Sequence, residues 1–203
     1  IDHIIDFYHR NGLNEVTVCT GYKAKVIEDH LARHAPNGMN ICFANAGEGA
    51  SMLQRLTAAG IDRPGTTIVS YGDTFINLDV KALLRRHREA AGELTLVSAK
   101  IVNPFGLIQY GPDMAITSFQ EKPVLKYYVG CFTADGSAFR FMTDDMLNAP
   151  DGEGLVAFLR ELVNQHSLTA FEHDGLHITF NTIPEMDNAN REMEHFYTLQ
   201  EKI

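Results

Sequence analysis

Thr67-Ile68-Val69-Ser70-Tyr71-Gly72-Asp73 is a short β-branched run that ends on glycine and aspartate. In an open α/β sheet, ligands sit beyond the carboxyl ends of the strands. A carboxylate there, beside a glycine that admits close backbone approach, suits a metal–phosphate complex. Asp73 is that carboxylate. The same residues also form a plain strand closed by a Gly-Asp turn, and the stretch alone leaves both readings open. Glu121-Lys122-Pro123 sets a carboxylate and an ammonium side by side; taken alone it is an exposed turn. The nine histidines show no repeated ligand spacing. His173 and His177 stand four apart, but Asp174-Gly175 between them argues for a turn rather than a helix face.

The elements that must position Asp73 follow from periodicity. Ile1, Ile4, Ile5 and Tyr8 recur at helical spacing, and Asn11-Gly12 stops that helix. A strand over 15–20 is followed by a helix over 24–34, a strand over 39–44 and a helix over about 50–59. After the 67–70 strand, Asp79 caps a helix over 80–90, and a strand covers 93–100. This alternation predicts right-handed crossovers and a largely parallel sheet. Beyond Lys100 the pattern changes. Strands over 107–110 and 114–120 flank Gly111-Pro112-Asp113 as a hairpin. Further strands are predicted over 127–134, 168–172 and 176–180, with helices over 155–165 and about 184–201. No repeat or linker interrupts the chain, so both halves are expected to share one sheet.

Composition narrows the function. The 203 residues are 45% hydrophobic and 21% charged, an ordinary globular mixture. No apolar run reaches the roughly 20 residues that span a bilayer, and no basic-then-apolar leader opens the sequence. A formal net charge of −9 with no basic block argues against nucleic acid. Cys19, Cys42 and Cys131 are scattered, without zinc spacing, and suit a reducing cytoplasm.

Several segments, in order, resemble the sugar-1-phosphate nucleotidyltransferases, and within them most nearly the glucose-1-phosphate cytidylyltransferases. They are Ile1-Asp2-His3-Ile4-Ile5 through Gly21-Tyr22-Lys23-Ala24, then Gly47-Glu48 with Arg55-Leu56, and Tyr71-Gly72-Asp73 followed by a helix carrying His87. They continue with Phe105-Gly106, Val129-Gly130-Cys131-Phe132, and His173-Asp174-Gly175 through Asn181-Thr182. Phe119-Gln120-Glu121-Lys122-Pro123 is the most specific match, to the family's Phe-x-Glu-Lys-Pro signature.

The resemblance implies a three-layer α/β/α fold, Rossmann-like, with a mixed and mostly parallel sheet of the nucleotide-diphospho-sugar transferase type. It implies that a sugar 1-phosphate and an NTP react, with Mg²⁺, to give an NDP-sugar and pyrophosphate for glycan or capsule precursors. By that likeness Asp73 and Asn181 would hold the metal, Asn181 standing where the nearest members have aspartate. Asn181 also suits a helix N-cap ahead of Pro184 and Glu185. Lys122 would hold the sugar phosphate, Glu121 the sugar hydroxyls, and Gly72, Gly106 and Gly130 would admit close approach. Arg55 would sit near the nucleotide, though on a helix it equally suits a solvated face. Partners would be the NTP and the sugar 1-phosphate, with no nucleic acid and no membrane, and a homo-oligomer stays open.

Two departures stand out. The family's glycine-rich loop, Gly-Gly-x-Gly-Thr-Arg-Leu, matches nothing here. The expectation is one domain over 1–203 lacking its N-terminal strand and nucleotide loop, within a longer natural protein. Met52-Leu53-Gln54 and Thr179-Phe180 replace family residues near the base and the second metal ligand. A catalytically impaired relative that binds a nucleotide sugar, or regulates a partner, is the alternative.

Overall fold

The computed structural model describes the backbone of residues 1–200 and the side chains of residues 1–193. Glu201, expected in the closing helix, lies outside the described residues. Apolar spacing decides which helix faces turn inward. Asp2–Arg10 (α1) buries Ile5, Ala24–His34 (α2) buries Leu31, and Met52–Ala58 (α3) buries Leu53 and Leu56. The last starts on a reciprocal cap between Ser51 and Gln54, which satisfies two otherwise open N–H groups. Val80–Glu89 (α4) starts at Asp79, whose carboxylate accepts the Ala82 N–H at 2.8 Å. Asp144–Asn148 (α5), Glu153–Asn164 (α6) and Ile183–Gln200 (α7) complete the helices.

The strands are Glu15–Thr20 (β1), Asn40–Asn45 (β2), Thr66–Ser70 (β3), Thr74–Ile76 (β4) and Leu94–Val102 (β5). Leu107–Tyr110 (β6), Ile116–Gln120 (β7), Val124–Asp135 (β8), Leu168–Glu172 (β9) and His177–Thr179 (β10) follow. The central sheet has the order β3-β8-β5-β9. In it β3, β5 and β9 run one way, and β8 runs against them. The sheet is thus mixed: three of its four strands share one direction, and of its three ladders β5–β9 is the parallel one.

Alternation along β5 sorts its residues between two cores. Leu94 packs with Phe132, Leu53, Phe158 and Leu162, beneath α3 and α6. Val97 and Ala99 pack with Cys131, Val80 and Leu83, beneath α4, where Phe7 and Tyr8 of α1 join them. Helices therefore cover both faces of the sheet, which makes three layers. Burying a side chain such as Phe158 or Leu83 stabilises the fold by about 1.5–3 kcal/mol each.

Three details differ from the expectation. Among the described residues, β1 and β2 pair in parallel only with each other and do not join the central sheet. Alternation records which face a strand buries, but not which strand lies beside it. A separate strand, β4, follows Asp73; its three residues are all buried and so show no alternation. The 3-10 turn over Gly136–Phe141 and the short helix α5 are likewise too brief to carry a period.

Candidate active site

The ladder between β3 and β8 runs past the end of β3. Tyr71 N–H donates to the Gly130 carbonyl at 2.9 Å. Gly130 has φ +76°, and a Cβ there would lie 3.0 Å from the Tyr71 ring. Glycine is needed on both counts. It sits in a bulge: while β5 advances from Leu96 to Ser98, β8 advances from Phe132 to Tyr128. Bulges of this kind kink a strand and re-aim its side chains.

Beyond Tyr71 the chain passes Gly72 and Asp73, both exposed, before entering β4. A Cβ on Gly72 would meet nothing within 4 Å, so the approach to Asp73 is open. β4 pairs antiparallel with β10, Thr74 opposite Thr179. Their hydroxyls lie 3.2 Å apart, and the Thr74 hydroxyl also donates to Asp73 Oδ1 at 3.3 Å. Just past the ladder, Phe180 N–H donates to the Asp73 carbonyl at 3.1 Å. This bond brings Asn181 to the same end of the two strands as Asp73.

The N-cap reading of Asn181 does not hold. The cap of α7 is Thr182, whose hydroxyl accepts the Glu185 N–H, while the Glu185 carboxylate accepts the N–H groups of Thr182 and Asn181. These bonds hold the Glu185 carboxyl below the usual carboxylate range. With the cap supplied one residue later, the Asn181 side chain has no hydrogen bond among the described residues.

A cavity of about 510 Å³ opens over this floor, within the range of small-molecule sites. Asp73, Thr74 and Thr179 line one side, and Gly130 with Tyr71 and Tyr128 another. The Tyr71 and Tyr128 rings meet edge to face at 5.9 Å. Burial, followed by the Asp73 charge in the case of Tyr71, pushes both phenols above the ordinary tyrosine range, so they are neutral. The Tyr128 hydroxyl is buried without a partner in hydrogen-bond geometry. At the rim Tyr127 and His177 are hydrogen-bonded through Oη and Nε2. A larger hollow of about 600 Å³ lies between α5 and α6 and shares no lining residue with this cavity.

The expected site residues fall into two groups and one outlier. Asp73 and Gly130 line the cavity, while Gly72 and Asn181 stand at the same strand ends without lining it. Gly106, Glu121 and Lys122 meet at the base of the β6–β7 ribbon. A Cβ on Gly106 would touch the Phe119 ring at 3.0 Å and approach Glu121 Oε2 at 3.5 Å. Lys122 has φ +41°, and neither it nor Glu121 forms an ion pair among the described residues. Lys122 precedes β8 and stands five residues from Tyr127, roughly 17 Å along an extended strand. Arg55 stands apart. Its guanidinium donates to the carbonyls of Thr20, Glu48 and Ala50 at 3.4, 3.0 and 3.0 Å, stitching the end of β1 to the loop before α3. It holds backbone in place and does not line the cavity.

Tyr127, His177 and Thr179 line the cavity. Tyr127 belongs to no motif, whereas His177 and Thr179 fall inside the matched segment over 173–182 with no role assigned to them there, and the pairing of β4 with β10 is what sets Thr179 opposite Thr74. Among the described residues no helix is long and apolar enough to cross a membrane.

Comparison with known proteins adds the following. Residues 1–166 match the family model described as Nucleotidyl transferase. The glucose-1-phosphate cytidylyltransferase of Salmonella typhimurium is 24% identical over 207 residues, covering 89% of this chain and 78% of that protein. The glucose-1-phosphate adenylyltransferase of a Jannaschia species is 28% identical over 223 residues, covering 96% of this chain but 50% of that protein. The crystal structure of HddC from Yersinia pseudotuberculosis superposes with a TM-score of 0.68 at 18% identity, covering 96% of this chain and 84% of that one. At that identity the likeness shows the fold.

Proposed function

The chain belongs to the nucleotidyl transferase family, and on that premise we propose that it joins an NTP to a sugar 1-phosphate. The phosphate oxygen of the sugar attacks the α-phosphorus in line. A new P–O bond forms, the bond to the bridging oxygen of the β-phosphate breaks, and pyrophosphate leaves. Such a transfer asks the protein for positioning and charge neutralisation rather than covalent chemistry. The product would be an activated sugar for glycan or capsule assembly.

The observation that supports this reading is the Phe180–Asp73 hydrogen bond, which brings Asn181 to the same end of β4 and β10 as Asp73. Mg²⁺ takes one or two protein oxygens and keeps the rest for water and phosphate. An exposed carboxylate bonded, among the described residues, only to Thr74, with an uncommitted amide at the same strand end, fits that demand. Asp73 and Asn181 would hold the ion, which when bound neutralises charge on the phosphates. Gly130 and Gly72 keep the floor open to the reacting groups. Glu121 and Lys122, at the ribbon base, would meet the sugar hydroxyls and the sugar phosphate, Lys122 as a point charge.

The test is pyrophosphate release with Mg²⁺ from a panel of NTPs against a panel of sugar 1-phosphates. Turnover names both substrates. Asp73→Ala should lower the rate by at least about a thousandfold and leave the circular dichroism spectrum unchanged, because the side chain is exposed. Nucleotide-sugar binding without pyrophosphate release from any pair would favour the impaired relative instead.

A further inference from the structure

Lys126 of β8 lies directly opposite Lys100 of β5. Like charges so placed across an antiparallel pair destabilise it. The two ammonium groups share one counter-ion, Glu172 of β9. Lys100 Nζ lies 2.5 Å from Glu172 Oε1, and Lys126 Nζ lies 2.9 Å from Glu172 Oε2. Asp174 makes a looser contact to Lys100 at 3.6 Å. The hydrogen bonds from Lys100 and then Lys126 hold the Glu172 carboxyl below the usual carboxylate range, and the bond to Glu172 raises the Lys100 ammonium. All four side chains are partly open to water, where ion pairs contribute little to stability. Stability alone therefore gives no reason to set two lysines face to face.

The place of the pair gives one. Lys126 stands four residues from Gly130 at the cavity and four from Lys122 at the ribbon base, roughly 13 Å of extended strand each way. Between Lys122 and Gly130 it is the only Lys or Arg. Lys126 and Tyr128 lie two apart and so share a face of the sheet. Tyr128 lines the cavity and lies opposite Ser98, which in turn lies opposite Glu172. The lysine pair is thus the next row out from the cavity wall. We propose that Lys100 and Lys126 form a phosphate site, closed in the free protein by Glu172, and that an incoming phosphate monoester or free phosphate displaces this carboxylate. A phosphate offers two oxygens side by side as a carboxylate does, with more negative charge, and can take over the same two ammonium groups. Glu172 then sets a threshold that weaker anions do not pass. In the proposed reaction the pair would add two cations to Lys122 along the path of the sugar phosphate. That use rests on the catalytic reading; the anion site itself does not.

The test is titration calorimetry of the full chain at low ionic strength, without nucleotide, with inorganic phosphate and with glucose 1-phosphate. Glu172→Gln removes the resident charge and keeps its shape; it should tighten binding by at least about tenfold. Adding Lys126→Ala or Lys100→Ala to Glu172→Gln should abolish that gain. Lys25→Ala breaks a solvent-exposed ion pair with Asp29 and should change nothing. Thermal melting of each variant verifies folding. Tighter binding of glucose 1-phosphate than of phosphate supports the site as one for substrate, and Lys126→Ala should then raise KM for the sugar 1-phosphate with kcat unchanged. Equal binding supports it as a site for free phosphate. A Glu172→Gln variant that binds neither probe more tightly than the wild type overturns the proposal, as does a gain that survives either lysine replacement. Calorimetry needs no turnover, so a chain inactive with every NTP would remove the catalytic reading and leave this site standing.

Discussion

At the scale of single residues, Asn181 shows how a neighbour frees a side chain for chemistry. Thr182 and Glu185 between them satisfy the first turn of α7, so the Asn181 amide is not spent on capping. It stands at the Asp73 end of β4 and β10 with no charge of its own. In the proposed site this leaves Asp73 as the single carboxylate. Asn181→Asp should therefore lower the Mg²⁺ concentration for half-maximal pyrophosphate release by roughly fivefold to tenfold. A magnesium titration that does not move would remove Asn181 from the metal site. Residue types were what the sequence displayed best. Asp73, Glu121 and Lys122 announce themselves by charge beside glycine or proline. Tyr127 and His177 do not, because an exposed tyrosine and a histidine in a short strand have no distinctive spacing. Arg55 was visible as a cation, but its task, three backbone carbonyls in two separate segments, is a tertiary fact.

At the scale of elements, the long periodic ones were legible. Glu15–Thr20, Ala24–His34, Leu107–Tyr110 and Leu168–Glu172 fall where apolar spacing and turn residues put them. β4 was not legible, since three consecutive buried residues look like part of any apolar run. Nor was the isolation of β1 and β2, because pairing is decided by distant contacts. The bulge at Gly130 belongs here too. Alanine at this position needs a left-handed backbone and a Cβ 3.0 Å from the Tyr71 ring. Gly130→Ala should cost about 1–2 kcal/mol in urea unfolding. It should also reduce turnover by displacing Tyr71 from the cavity wall. A variant of unchanged stability would mean that the ladder absorbs the strain.

At the scale of the whole molecule, burial sets the response to alkali. It pushes the Tyr8 and Tyr128 phenols above their ordinary range, and the Cys131 thiol from 9.0 up to about 12. Each group stays neutral in the fold at a pH where the unfolded chain would release its proton. The stability tied to Cys131 is complete below pH 9.0 and is lost progressively as pH rises toward about 12. Urea midpoints should fall across that window, and Cys131→Ala should flatten the slope; a flat wild-type profile would contradict the burial argument. The bulge in β8 has its own consequence at this scale. On its inner side β8 holds Phe132 and Ala134 in the core, while on its outer side Val124 and Leu125 lie exposed in the arm that carries the ribbon. One strand thus serves two neighbourhoods: a side chain of the outer arm can change without disturbing the packed core, whereas one of the inner half cannot.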